Sequence, residues 1–197
     1  MNKSNSNKAL LALLLFAWSS LALAADLSQA VILVAKRELR DQVFGSTVLI
    51  ATPLPGGQHF GFILNRPTRV TLGKMFPEHG PSQKIVEPVY LGGPINLELI
   101  FALVQRAESP GGESIQLMPG LYAAFDGDTV DRIIEVHAEH SRFVAGLVAW
   151  RPGELREEIK QGLWFVLEPD AATVLRKPTD GLWDELVQRL ERAAKGI

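Results

Sequence analysis

Short apolar runs broken by proline and glycine constrain this chain more than any other feature of its sequence. Val31–Ala35 ("VILVA") is an uncharged, β-branched run, and residues 52–57 ("TPLPGG") place two prolines and two glycines after a second run. Proline lacks the N–H that a strand ladder needs and glycine reaches positive φ, so these clusters predict tight turns between antiparallel strands. We predict strands at 31–35, 46–51, 58–64, 88–91, 97–104, 115–118, 121–125, 142–150 and 164–167.

Helical patterns are concentrated in the last third of the chain. Apolar residues recur every three or four positions between Val130 and His137, with Asp128 as the predicted N-cap, and Pro152 is expected in the first turn of a helix that ends at Gly162. A short helix after Thr71 and an amphipathic helix over 182–190 complete the set. The order of elements is not a regular βαβα alternation. It predicts an α+β fold with a largely antiparallel, curled sheet flanked by a few helices.

The N-terminus has the pattern of an export signal. Lys3 and Lys8 precede an uncharged apolar core over 9–18, and small residues end at Ala24, the predicted cleavage site. The core is short for a membrane span, which needs about 20 apolar residues, although an uncut anchor stays an alternative. We therefore expect a signal peptide over 1–24, a single domain over 25–197, no stable membrane span after cleavage, and a periplasmic or secreted location.

Charge and cysteine content exclude several classes of function. Removing residues 1–24 takes away Lys3 and Lys8 and no acidic residue, so 18 basic residues face 22 acidic ones and the net charge becomes −4. Binding to nucleic acid needs concentrated positive charge, and we expect no nucleic-acid partner. The chain has no cysteine, which excludes disulfides, thiolate chemistry and cysteine-based metal sites.

Four motifs in order resemble the YqgE/AlgH family across almost the whole body of the chain. Residues 61–67 ("GFILNRP") resemble its "GLVINRP", residues 88–94 ("PVYLGGP") its "PVYxGGP", and residues 146–155 ("GLVAWRPGEL") its "GYAGWxPGQL". Phe44 followed by Thr47 fits "FxRTV". The chain departs from these patterns at four positions, which are Ser46 for arginine, Leu147 for tyrosine, Ala149 for glycine and Glu154 for glutamine.

The resemblance implies no catalytic residue and no cofactor. One branch of that family carries the label of a regulator of exopolysaccharide synthesis. Combined with the export signal, the resemblance leads us to expect a non-enzymatic envelope factor that binds a partner protein or a small anion. One alternative is a hydrolase-type enzyme or small-anion-binding protein that uses a pocket near Arg66, Gly92-Gly93 and Trp150. Another is a structural scaffold that acts through an exposed strand edge.

Five residues are the candidate ligand-binding group. Arg66 offers a planar guanidinium that can bind a carboxylate or phosphate through two hydrogen bonds. Glycines let backbone N–H groups approach such a ligand closely, and a tryptophan at a strand-to-helix junction can wall the pocket. The structural alternative is that Pro67 simply ends a strand, with an Asn side chain bonding its own backbone two residues on. The candidates are Asn65, Arg66, Gly92, Gly93 and Trp150.

Three further groups have simpler structural interpretations. Glu154 and Glu158 share a helix face and could form a general acid/base pair, but acidic residues also suit the first turns of a helix. His137 and His140 have H-x-x-H spacing, yet His137 continues an apolar face, and we predict no metal site. Ser46 is predicted inside an apolar strand, where it would not act as a nucleophile.

Overall fold

The computed structural model describes residues 26–196. The predicted signal peptide and its Ala24 cleavage site lie outside these residues. Within them, ten strands form one curled sheet, and five helices accompany it. The strands are β1 (Val31–Ala35), β2 (Val48–Pro53), β3 (His59–Ile63), β4 (Pro67–Thr71), β5 (Pro88–Leu91), β6 (Ile95–Gln105), β7 (Ser114–Met118), β8 (Leu121–Ala124), β9 (Ser141–Trp150) and β10 (Trp164–Leu167). The helices are α1 (Leu72–Met75), α2 (Gly127–His137), α3 (Glu154–Lys160), α4 (Ala171–Leu175) and α5 (Leu182–Ala194).

Strand β9 joins the two halves of the sheet. It pairs antiparallel with β6 along most of its length, in parallel with β5 at Val144 and Ala145, and antiparallel with β3 at its last residues. The order across the sheet is β10-β1-β2-β3-β9-β6-β8-β7, and β4 is attached through β5. Apart from β5 with β9, the strand pairs found in residues 26–196 are antiparallel, which confirms the predicted α+β class.

Both faces of the central strands are buried, which explains why β1 is apolar at every position. Ile32 and Val34 point into the cluster that α5 covers, while Val31 and Leu33 pack into a second cluster under α3. A third cluster lies between α2 and β6. The curl of the sheet thus encloses one core and leaves two smaller ones on its outer side.

Most predicted elements exist close to their predicted positions. The bounds of β1, β5 and β10 agree with the prediction, and the hairpins β2–β3 and β7–β8 are antiparallel as expected. Thr71 caps α1, since its hydroxyl accepts a hydrogen bond from the Lys74 backbone N–H at 3.4 Å. The sequence pattern therefore locates the regular elements well where apolar runs are flanked by strong turn residues.

Three predictions about element ends were wrong. The N-cap of α2 is Asp126, not Asp128, because Asp126 has the extended backbone of a cap and its carboxylate accepts from the Thr129 N–H at 3.1 Å. Ser46 lies in a turn before β2, at φ 57°, rather than inside a strand. Helix α3 begins at Glu154, because Gly153 adopts φ 81° and so leaves Pro152 outside the helix.

Two elements were not predicted. Strand β4 begins at a proline and pairs only irregularly with β5, so its sequence resembles a loop. Helix α4 has five residues and follows the N-cap Asp170, whose carboxylate accepts from Thr173 N–H at 2.7 Å. Neither segment is long enough to show a clear periodicity.

Candidate functional site

Asn65 fixes the start of β2. Its side-chain carbonyl accepts a hydrogen bond from the Val48 N–H at 2.9 Å, and its amide donates to the Ser46 carbonyl at 3.0 Å. These bonds reach across to the turn that precedes β2, not to the backbone two residues further on, as the turn prediction assumed. Asn65 thereby satisfies backbone groups on both sides of Thr47, where the turn meets the first residue of the strand.

Arg66 binds the same turn. Its Nη2 donates to the Gly45 carbonyl at 2.6 Å, and its own backbone carbonyl accepts from the Leu91 N–H at 2.8 Å. The side chain is half-buried and has no carboxylate within ion-pair distance among residues 26–196. Asn65 and Arg66 thus act together as clamps on the turn over residues 45–48.

Gly92 and Gly93 approach the backbone of β9 so closely that no side chain fits. A Cβ on Gly93 would lie 2.1 Å from the Leu147 carbonyl oxygen, and one on Gly92 would lie 2.4 Å from the Gly146 oxygen. The Gly92 N–H donates to the Ala145 carbonyl at 2.8 Å. That N–H is therefore engaged by the sheet, and both glycines serve the packing of the β5–β6 turn against β9.

Trp150 is buried and anchored by a carboxylate. Its indole N–H donates to Glu158 Oε2 at 3.1 Å, and the indole N–H of Trp164 donates to the same oxygen at 2.8 Å. Glu154, in contrast, accepts from the Arg151 backbone N–H at 2.8 Å and closes the turn over residues 151–154 that precedes α3. The two glutamates proposed as an acid/base pair therefore have separate structural partners.

A surface groove of about 420 Å³ lies beside Trp150, and we call it the Trp150 groove. Its lining includes Gln58, Ile95, Trp150, Arg151 and Glu154. Ile95 follows the Gly92-Gly93-Pro94 turn, so the groove brings two of the motif segments together. Neither Asn65 nor Arg66 is part of its lining. The five candidate residues are thus divided between the turn before β2, the β5–β6 turn and this groove.

An exposed apolar strand segment borders the groove. Between the pairs Ile95–Leu147 and Ile100–Ala145, four residues of β6 face only Gly146 of β9, so this segment bulges out of the sheet. Gly146 adopts φ 72°, and a Cβ there would lie 2.5 Å from the Gly93 oxygen. Ile95, Leu97 and Leu99 are 40%, 50% and 39% exposed, and we call these three residues the β6 face.

Comparison with known proteins identifies the family that carries these motifs. The sequence model of the family DUF179, described as AlgH-like, matches residues 32–195. The chain belongs to the AlgH-like family. A UPF0301 protein of Thermobifida fusca is 30% identical in an alignment of 167 residues that covers 80% of this chain and 84% of that protein. A UPF0301 protein of Chlorobaculum tepidum is 26% identical over 160 residues, with 80% and 83% covered.

Two solved structures share the AlgH-like fold. One is a protein from Corynebacterium diphtheriae, with a TM-score of 0.68 and 23% identity over 82% of this chain and 86% of that chain. The other is the AlgH protein from Pseudomonas aeruginosa, with a TM-score of 0.67 and 22% identity over 83% and 88%. At these identities the likeness shows the fold alone. The names of the relatives confirm the resemblance to the family but state no reaction and no ligand.

The departures from the AlgH-like motifs fall on the surfaces just described. Ser46 occupies the turn that Asn65 and Arg66 hold, and Leu147 pairs with Ile95 of the β6 face. Ala149, which pairs with Phe60 of β3, lines the Trp150 groove, and so does Glu154, the first residue of α3. Two of the four departures, Ala149 and Glu154, thus line the Trp150 groove, and a third, Leu147, pairs with Ile95 of its lining.

Arg142 is a charged residue buried in the core, and the sequence analysis missed it. It is 1% exposed, although it opens the apolar run of β9. Its guanidinium donates to the carbonyls of Leu64 and Arg176 and lies 4.3 Å from the centre of the Tyr90 ring. The Nε atom has no hydrogen-bond partner in the described part of the chain. Arg142 therefore ties β3, β5 and the loop after α4 to β9.

Burial lowers the pKa of Arg142 to about 10, and the neighbouring Tyr90 and Glu87 offset part of this shift. The side chain is therefore a cation at neutral pH inside the core, held by carbonyl oxygens and an aromatic face. An arginine within a strand is ordinarily expected on the solvent side. The sequence offers one indication that Arg142 is buried: it lies in "SRFVAGLVAW", where all the other residues are uncharged.

The histidines are dispersed over the molecule. His59 is buried and its Nε2 lies 3.0 Å from the Leu27 carbonyl, while His79 Nδ1 lies 2.7 Å from the Ser82 hydroxyl. His137 is half-buried beside Arg106.

Within residues 26–196 no group of three or more acidic or histidine side chains could hold a metal ion. No helix in the same residues is long and apolar enough to cross a membrane.

Proposed function

We propose that this AlgH-like protein is an exported, non-enzymatic binding factor of the cell envelope, and that it binds an extended segment of a different protein on the β6 face. The observation that carries the proposal is the exposure of Ile95, Leu97 and Leu99 beside the Trp150 groove. Exposed apolar side chains along a strand segment with an unpaired edge favour recognition of an extended peptide by strand addition.

The free edge of β6 supports binding by strand addition. On the side away from β9, β8 pairs with β6 only from Ala102 to Gln105. Residues 95–101 have no strand neighbour on that side within the described chain. A strand edge of this kind presents backbone groups that a second extended chain can pair with. The adjoining groove of about 420 Å³ would receive a side chain of the bound segment.

Charge favours a different protein over a second copy of this chain. Glu98 lies between Leu97 and Leu99 in the chain, is exposed, and has no ion-pair partner among residues 26–196. Antiparallel pairing of two copies in the register centred on Glu98 would bring two Glu98 carboxylates together, which is unfavourable. We therefore expect the bound segment to carry apolar residues at alternate positions and a basic residue opposite Glu98.

The location outside the cytoplasm rests on the N-terminal pattern of Lys3, Lys8 and the apolar core before Ala24. The chain has no cysteine, so it has no free thiol that an oxidising compartment could modify. Cell fractionation with N-terminal sequencing tests this part, and a mature chain that begins at Ala25 outside the cytoplasm is expected. An intact N-terminus on a cytosolic protein would contradict it.

Site-specific photo-crosslinking of the full chain in its native cells tests the binding site. A crosslinker at position 97 should capture one defined protein, and the same crosslinker at Val86, which is 84% exposed, should not. Glu98→Lys should reduce the adduct at position 97 because it reverses the charge that the partner meets. The proposal would be contradicted if crosslinkers at positions 97 and 86 captured the same proteins. It would also be contradicted if position 97 crosslinked to a second copy of this chain.

The alternative of a small-anion or hydrolase pocket at Arg66 has its own test. The bond from Arg66 to Gly45 and the engaged Gly92 N–H speak for a structural role of these residues. A thermal-shift series with anions, sugars and divalent metals would reveal such a pocket. A specific rise in the melting temperature that Arg66→Ala abolishes would favour the alternative over binding on the β6 face.

A further inference from the structure

A cleft of about 310 Å³ lies between α2 and the end of β6, apart from the β6 face and the Trp150 groove. Its lining includes Arg106, Thr129, Arg132, Glu135 and His137. Four of these five side chains can donate hydrogen bonds, and two are guanidinium groups. We propose that this cleft binds a phosphate-type oxyanion, either as the free ion or as a phosphomonoester.

The side chains in the cleft are already held by one another. Arg106 Nη1 lies 3.3 Å from His137 Nε2, and because arginine can only donate, His137 accepts at Nε2. Arg132 Nη2 donates to the buried Thr129 hydroxyl at 2.8 Å. Each guanidinium is thus oriented by a neutral partner rather than by a carboxylate. A planar guanidinium in a fixed orientation is suited to the paired oxygens of an oxyanion.

Neither arginine of the cleft has a carboxylate within ion-pair distance in residues 26–196. The ion pairs found in residues 26–196 involve Arg37, Lys160, Arg176 and Lys177, and neither Arg106 nor Arg132 takes part. A hydrogen bond from the Thr129 side chain and, more weakly, the charge of Arg132 lower the pKa of Asp126, whose carboxylate also accepts from the backbone N–H groups of Thr129 and Glu113. A bound oxyanion would give both arginines a directly paired negative charge.

Glu135 is the carboxylate that lines the cleft, and it opposes an anion. It lies on the exposed side of α2, one helical turn from Arg132. Because its charge repels a bound oxyanion, it weakens binding without being required for the fold. This position therefore provides a variant that should strengthen binding, which a merely damaged protein cannot do.

Titration of the full protein with inorganic phosphate, followed by amide chemical shifts at constant ionic strength, tests the inference. We expect saturable shifts at Arg106, Thr129 and Arg132, which chloride at the same ionic strength does not produce. Arg106→Gln and Arg132→Gln should each weaken binding about tenfold or more, because each removes a charge-assisted hydrogen bond. Arg40→Gln, which removes an exposed positive charge outside the cleft, should leave the affinity unchanged.

Glu135→Gln should tighten phosphate binding about two- to fivefold, since it removes a repulsive charge near the protein surface. Glycerol 3-phosphate in place of phosphate distinguishes the two sources of the oxyanion: tighter binding indicates a phosphomonoester, and equal binding indicates the free ion. An absence of shifts in the cleft, or equal weakening in Arg40→Gln, would overturn the inference. Failure of the β6-face crosslink would not affect it, because the two sites share no residue.

Discussion

At the scale of the residue, Glu158 holds two tryptophans together at the junction of β9 and α3. One carboxylate oxygen accepts from the indole N–H groups of Trp150 and Trp164, both of which are buried. When a buried N–H group loses its acceptor, the protein still pays the free energy of removing that group from water. Hydrogen bonds to a charged acceptor are also stronger than those between neutral groups. The carboxylate that the sequence offered as a candidate acid or base thus has a clear structural role.

We predict that Glu158→Ala lowers the free energy of unfolding by about 2–4 kcal/mol, because it leaves two indole N–H groups without an acceptor. Glu157→Ala is the matched control. Glu157 forms an exposed ion pair with Lys160 at 2.6 Å, and such pairs contribute about 0–1 kcal/mol. Urea denaturation followed by tryptophan fluorescence measures both. Equal losses for the two variants would show that the indoles do not depend on Glu158.

Arg142 marks the limit of sequence reasoning at this scale. The pattern of β9 predicts a strand, but an arginine side chain at its start is ordinarily expected to be exposed to solvent. Its burial depends on partners that come from Leu64, Tyr90 and Arg176, which are distant in sequence. Such a convergence follows from the topology of the sheet, which a single sequence does not reveal.

At the scale of the element, the β5–β6 turn packs against β9 backbone to backbone. Gly92, Gly93 and Gly146 form this junction, and a methyl group at Gly93 would overlap the Leu147 carbonyl. The contact sets the position of Ile95 and so the start of the β6 face. The shape of the proposed binding surface therefore depends on a glycine that no ligand would touch.

We predict that Gly93→Ala destabilises the protein by about 3 kcal/mol or more, at the upper end of overpacking effects, because the clash is with backbone atoms that cannot rotate away. Gly80→Ala is the control, since a Cβ there meets nothing within 4 Å and Gly80 does not have a positive φ. It should be neutral or slightly stabilising. Thermal unfolding of the two variants gives the comparison. A melting temperature of Gly93→Ala equal to that of Gly80→Ala would mean that the turn can move away from β9.

The sequence predicted elements better than the contacts between them. Strands such as β1 and β10 were located because an apolar run ends at charged or turn residues. Strand β4 and the bulge of β6 were missed, since both are set by pairing with distant strands. The candidate site shows the same limit. The motifs around Gly92 and Trp150 do converge, but the register between β5, β6 and β9 decides which of their atoms are engaged.

At the scale of the whole molecule, α5 closes the core that the curled sheet encloses. Leu182, Leu186 and Val187 are buried in the same cluster as Phe62 of β3 and Leu103 of β6. The indole N–H of Trp183 donates to the Ala35 carbonyl of β1 at 2.7 Å. The last helix therefore contacts a core shared by strands from both halves of the sheet, and we expect residues 25–197 to unfold as one domain.

We predict that Leu186→Ala lowers the free energy of unfolding by about 2–5 kcal/mol and keeps a single transition, because the cavity that it creates lies in the shared core. Arg189→Ala, on the exposed side of α5, should change stability by less than about 0.5 kcal/mol. Circular dichroism and tryptophan fluorescence should give coincident unfolding curves for both variants. Hydrogen exchange should accelerate together in β1, β3 and β6 of Leu186→Ala, since the whole core loses stability at once. If exchange accelerates only in α5, or if two separate transitions appear, the helix is an independent attachment and the two halves of the sheet do not form one cooperative unit.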